Sequence, residues 1–182
     1  VTQIGLLEDG YEPVSSSRIR AALASAELST ANRLLGYHWF VEGEVVVGDR
    51  RGRELGFPTA NIAVPESFQL AQGVYAVRAR IGDDLFDGVA SFGKPMFDAG
   101  PPPFETHLFD TDRDLYGAHM AVALVGFVRG QVKFDGLDAL IAAMHDDSAR
   151  ARQIIAEAGP LSALDIHLGF FSQADKGSGR AG

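Results

Sequence analysis

The chain has no cysteine among its 182 residues. Structural disulfides, thiolate metal sites and thiol nucleophiles are therefore excluded, and the composition fits a reducing cytoplasm, the expected location. No run approaches the roughly 18 consecutive apolar residues that a membrane helix needs. The opening stretch VTQIGLLEDGYEP also lacks the basic and apolar regions of a signal peptide, so no membrane partner is expected. Positive charge is scarce as well, with 16 Lys and Arg against 24 Asp and Glu and a formal net charge of -8. Holding nucleic acid by counterion release needs a basic face, which makes nucleic acid a poor partner. The histidines at 38, 107, 119, 145 and 167 show no zinc spacing. The aspartates at 110, 112 and 114 suggest a calcium loop but lack its glycine and its final glutamate, since Leu115 and Ala121 stand there. They read instead as capping a hairpin turn.

The length suits one ordinary domain with some addition, enough to bury a core without staples. Val1 in place of an initiator methionine suggests a piece of a longer protein. Up to residue 36 the pattern is helical. Ser15, Ser16 or Ser17 is a candidate cap for a run whose Ile19, Ala22, Leu23 and Ala26 share a face, and Ser29 for a second helix that Gly36 stops. From Phe40 the period shortens to two. FVEGEVVVG (40–48), GVYAVRARI (73–81), DLFDGVASFG (84–93), FETHLFD (104–110) and AHMAVALVGFV (118–128) are strand candidates, the second with Arg78 and Arg80 on a wet face. After Lys133 the helical period returns, with Asp135 as candidate cap, a Leu137, Leu140, Ile141, Met144 stripe and a stop at Gly159-Pro160. Strands this close, without βαβ spacing, suggest an antiparallel Greek-key barrel from about 38 to 134, one opening covered by the helix. The tail SQADKGSGRAG is polar and glycine-rich and is expected to be mobile.

Two stretches carry chemistry. VGDRRGRELGFPTAN has glycines at 48, 52 and 56 and arginines at 50, 51 and 53, which suits a backbone cradle for an anion or else an exposed basic hairpin, although the spacing is not that of a P-loop. Pro58 stiffens the entry to Thr59 and Asn61, and in extended chain residues two apart point the same way. Thr59 and Asn61 thus present a hydroxyl and an amide oxygen that suit a hard cation such as Mg²⁺ beside phosphate, or else an edge-strand hydrogen-bonding pair. In FETHLFD, Glu105, His107 and Phe109 share one face of a strand. A carboxylate on so apolar a strand is paired or used, and Arg78, Arg80 and Arg129 are candidate ion-pair partners.

Together VVVGDRRGRELGFPTANI (45–62), GVYAV (73–77), FETHLFDTDRDLYG (104–117) and VGFVRGQVKFDGLDALIAAMHDD (125–147) resemble the riboflavin kinase family, the kinase module of bacterial bifunctional riboflavin kinase/FAD synthetases. The resemblance implies a mainly β fold, a six-stranded antiparallel barrel with a helical lead-in and a long C-terminal helix. It implies a kinase that makes FMN and ADP from riboflavin and ATP, with Mg²⁺. By the same resemblance Glu105 is the catalytic base, Thr59 and Asn61 seat the metal, and Gly48, Gly52, Arg53 and Gly56 belong to the loop around the ATP phosphates. Leu108 and Tyr116 fall in the adenine pocket, and Arg129 and Phe134 complete the flavin site. Residues 1–36, with PVSSSRIRAAL, resemble the end of a preceding adenylyltransferase module, 37–171 form the kinase domain, and 172–182 a tail. SFGKPMFD (91–98) departs from the family loop at Ser91 and Met96 and puts flavin selectivity in question. Two other readings remain open at this point: a flavin- or nucleotide-binding barrel without turnover, and a flavin-dependent reductase.

Overall fold

A computed structural model describes residues 8–9, 12–48, 52, 55–93 and 104–177. Arg53, positions 94–98 of the atypical loop and the last five residues of the tail lie outside them. A two-stranded ribbon of β1 (Glu8–Asp9) and β2 (Glu12–Pro13) precedes helices α1 (Ser16–Ala24) and α2 (Leu28–Leu35). Six strands follow: β3 (Phe40–Val46), β4 (Ala60–Ile62), β5 (Gly73–Ile81), β6 (Asp84–Phe92), β7 (Phe104–Leu108) and β8 (His119–Gly130). They close an antiparallel barrel in the order β3-β4-β7-β6-β5-β8. Helix α3 (Leu137–Glu157), the short α4 (Ala163–His167) and a 3₁₀ turn at Gln173–Gly177 complete the described chain. No described helix is long and apolar enough to cross a membrane.

The period of two sorts side chains between the inside and the outside of the barrel. Val41, Val45, Ile62, Tyr75, Val77, Ala79, Phe92, Phe104, Met120, Val122 and Leu124 fill the interior. Ala22, Leu23, Leu28 and Ala31 of the lead-in join that same core. Asn32 ties the lead-in to the barrel, its amide donating to Leu124 O at 3.0 Å and its oxygen accepting from Trp39 N at 2.9 Å. Residues 16–35 are thus built into the barrel rather than hung from it.

Several local expectations shift. Ser15 does cap α1, accepting from Arg18 N at 3.3 Å, but the helix stops before Ala26, whose φ of 63° is left-handed. Glu27 rather than Ser29 precedes α2, and Gly136 rather than Asp135 precedes α3, neither with a side-chain cap. The sixth strand, β4, spans three residues, too short to show a period.

The arginine face of β5 is not wet. Phe170 and Phe171 fold back onto it, with the Arg78 guanidinium 4.8 Å from the Phe171 ring and that of Arg80 5.7 Å from Phe170. Helix α3 lies across the outside of β5, β6 and β8 instead of over an opening, seating Ala151 and Ile155 against Ala76 and Phe109. Part of the tail is held too: Asp175 accepts from Ser172 N at 2.6 Å and Oγ at 3.0 Å, which holds its carboxyl below the usual carboxylate range.

Candidate active site

Strand register assembles the site. Asn61 of β4 faces Glu105 of β7, Glu105 faces Ser91 of β6, Ser91 faces Val74 of β5, and Val74 faces Arg129 of β8. Directly paired residues in antiparallel strands point to the same side. One band on the outer wall of the barrel therefore carries an amide, a carboxylate, a hydroxyl and a guanidinium. Thr59 stands two residues before Asn61, on the same side of the chain.

The loop before β4 gives these groups room. A Cβ on Gly48 would lie 2.4 Å from Asn61 Nδ2, so only glycine lets that amide occupy its place. Gly56 turns the chain at φ 83°. The backbone N–H groups of Leu55 and Phe57 both donate to Gly52 O, at 3.1 and 2.8 Å. Those two donors are thereby engaged within the loop.

Two cavities flank the band. The first, about 170 Å³, is lined by Val45, Ala60, Leu108, Tyr116, the polar turn Thr111–Asp114 and Thr59. The second, about 270 Å³, opens between the outer wall and α3. Leu55, Phe57, Val74, Leu140 and Met144 give it apolar sides, and Glu105, His107, Arg129 and Thr59 its polar points. Thr59 lines both. Leu108 and Tyr116 fall in the first cavity, while Gly52, Glu105, Arg129 and Phe134 fall in the second. Gly48, Gly56 and Asn61 line neither; Asn61 is only 7 % exposed behind Thr59.

Charge is fixed across the second cavity. Arg129 Nε donates to Asp147 Oδ1 at 2.7 Å and its terminal nitrogen to Oδ2 at 2.6 Å, a bidentate pair between β8 and α3. Its guanidinium carbon lies 5.4 Å from the Phe134 ring centre. Arg78 is likewise held by Asp87 at 2.8 Å, so two of the arginines considered for Glu105 have acid partners elsewhere. Asp147 escaped the sequence reading, because an acid on a helix face normally signals solvent; only the fold shows it 7 % exposed. In the polar turn Asp114 accepts from Tyr116 N at 3.2 Å, the capping role expected of these acids, while Asp110 binds Arg152 through two bonds of 2.9 and 3.0 Å. That pairing holds the Asp110 carboxyl below its ordinary range.

Among the described residues no group of three or more His, Asp or Glu side chains forms a metal cage. A divalent cation here would rest on neutral oxygens and on its ligand's phosphates, and Thr59 and Asn61 fit that donor set. Mg²⁺ suits it, being bound by few protein oxygens.

One wall of the barrel thus aligns hydroxyl, amide and carboxylate between a polar and an apolar cavity. Comparison with known proteins supplies the family. The flavokinase (riboflavin kinase) family profile matches residues 35–155. The chain is 38% identical over 149 residues to the bifunctional riboflavin kinase/FMN adenylyltransferase of Listeria monocytogenes, covering 80% of this chain and 48% of that protein. For the protein of the same description in Bacillus subtilis the identity is 37% over 155 residues, covering 82% and 49%. A solved structure described as a macrolide-efflux protein from Streptococcus pneumoniae superposes with a TM-score of 0.74 at 34% identity, covering 82% of this chain and 50% of that one. The chain belongs to the riboflavin kinase family. It spans about half the length of the curated relatives it matches and corresponds to their kinase part.

Proposed function

We propose that this chain transfers the γ-phosphoryl group of ATP to the ribityl 5′-hydroxyl of riboflavin, giving FMN and ADP. The observation that carries this reading is Thr59, which lines both cavities and stands beside the Asn61–Glu105 pair.

The nucleotide takes the first cavity, its base near Leu108 and Tyr116 and its phosphates directed toward Thr59. Asp112, Arg113 and Asp114 line the same cavity, and a cation at the Thr59 end would offset the charge of the polyphosphate. Riboflavin takes the second cavity. Its flat ring suits the apolar sides and the Arg129–Phe134 corner, leaving the ribityl chain to run toward Glu105 and Thr59.

Thr59 Oγ1 and Asn61 Oδ1 would hold Mg²⁺, which supplies charge neutralisation for the phosphates. Glu105 accepts a hydrogen bond from the 5′-hydroxyl and takes its proton as the oxygen forms its bond to the γ-phosphorus. The bond from that phosphorus to the β,γ-bridging oxygen breaks, and its electron pair leaves with ADP. Phosphoryl transfer through a loose transition state asks chiefly for alignment, which the strand register provides between Glu105 and Asn61.

The decisive assay incubates the purified chain with riboflavin, ATP and Mg²⁺ and follows FMN and ADP. Equimolar formation of both is expected. Tight binding of riboflavin and nucleotide without product would leave a binding barrel and overturn the kinase, whereas NAD(P)H consumption with FMN would indicate a reductase. FAD formation is expected to require sequence beyond this chain.

A further inference from the structure

The segment carrying Thr59 lies outside the strand ladder. The β4 ladder begins at Ala60, paired with Thr106, so residues 57–59 lie before it. Pro58 has no N–H to contribute. Yet the metal reading requires the Thr59 hydroxyl to stay within a few tenths of an ångström of its place beside Asn61.

His107 answers that need. It sits on β7 two residues from Glu105, on the same face, and lines the second cavity with Glu105 and Thr59. Its Nδ1 is 2.9 Å from Pro58 O. A carbonyl oxygen only accepts, so Nδ1 carries the hydrogen. That oxygen belongs to the peptide unit joining Pro58 to Thr59, and the unit is planar, so holding the oxygen sets the plane from which Thr59 starts. The imidazole is itself held edge-on by Phe57 at 5.2 Å and Phe109 at 5.9 Å, and Phe57 meets His145 of α3 at 5.0 Å. The ring therefore couples the catalytic strand, the loop before β4 and the long helix.

The geometry points to His107 as a positioning residue for the divalent cation, acting through the Pro58 carbonyl on Thr59 rather than touching the cation. This rests on the reading of Thr59 as a metal ligand, and the test separates the two.

ADP binding to the purified chain is measured by calorimetry with and without Mg²⁺ for the wild type, T59A, H107L, H107N and the double variant T59A/H107L. The Asn side chain keeps an N–H where Nδ1 was, whereas Leu does not. H107L is expected to lose about 3- to 10-fold of the Mg²⁺-dependent tightening, the range of one lost hydrogen bond. H107N should stay within about 2-fold of the wild type, and in the T59A background H107L should add nothing further, because the two residues act as a unit. Should H107L disturb folding, H107F keeps the ring contacts and removes the donor. Equal losses in H107L and H107N, an unchanged H107L, or additive losses in the double variant would reduce His107 to packing while leaving Thr59 in place. Full Mg²⁺ coupling in T59A would remove the metal reading itself, and this inference with it.

Discussion

The two cavities share Thr59 and little else. The first is walled by a turn rich in hydroxyls and acids, with Arg113 already bound to Asp84 at 2.5 Å. The second is walled largely by aliphatic and aromatic side chains, with Arg129 and Asp147 locked in a pair. On the proposed reading, a phosphate-bearing ligand and a flat, largely uncharged one meet opposite surroundings on either side of one hydroxyl. On that reading, too, the barrel separates its substrates by cavity chemistry and joins them at Thr59, just ahead of the three-residue strand β4.

Substitutions can break that division. The largest effect is expected at Glu105, the proposed base on the wall of the second cavity: Glu105→Gln should lower kcat by about 10²- to 10⁴-fold while riboflavin and ADP still bind, as separate titrations would show. Near-normal turnover would remove it from the base role. Next comes Asp147→Asn, which weakens a charge-assisted bidentate pair and should raise KM for riboflavin roughly 10-fold with little change in KM for ATP. A change confined to ATP would reverse the assignment of the cavities. Tyr116→Ala, at a half-exposed wall of the first cavity, should do the opposite on a smaller scale, raising KM for ATP about 3- to 5-fold.

The smallest effect on either cavity is expected from the clamp at the far side of the barrel. There buried Asp165 accepts from His38 N at 3.0 Å, from the His38 ring at 2.7 Å and from Leu161 N at 2.9 Å. Asp165→Ala should lower the melting temperature, since it strands buried donors at a cost of about 1–3 kcal/mol each, yet leave both KM values alone. Burial outweighs the Asp165 carboxylate and pushes the His38 imidazole below its ordinary 6.5. The unfolded chain then binds the proton more readily, so the stability from this site is present above pH 6.5 and falls as the solution is acidified below it. Denaturant titrations at several pH values check that sign, using a His38→Gln variant, which has no group to titrate there, as reference.

Most strands were legible as β-branched or alternating runs bounded by glycine, proline and aspartate; GVYAVRARI runs from Gly73 to Ile81 in both the sequence reading and the fold. The motif around Thr59 and Asn61 was equally legible, since a proline followed by alternating polar groups dictates direction locally. Strand β4 was not, because three residues carry no period, nor was the covering of Arg78 and Arg80, because the phenylalanines that cover them lie some ninety residues away along the chain. Asp147 and His107 look like ordinary polar residues until their partners are known.

Local chemistry, then, decided by itself where the chain extends, where it coils, and that a hydroxyl and an amide share one side ahead of a strand carboxylate. Only the closed barrel decided that Asn61 faces Glu105, that Arg129 meets Asp147, and that a single threonine stands between a polar cavity and an apolar one. The physical reason is range. Backbone direction and alternation are set by neighbouring residues, whereas register across strands and the docking of a helix on a barrel wall depend on packing between segments far apart in the chain.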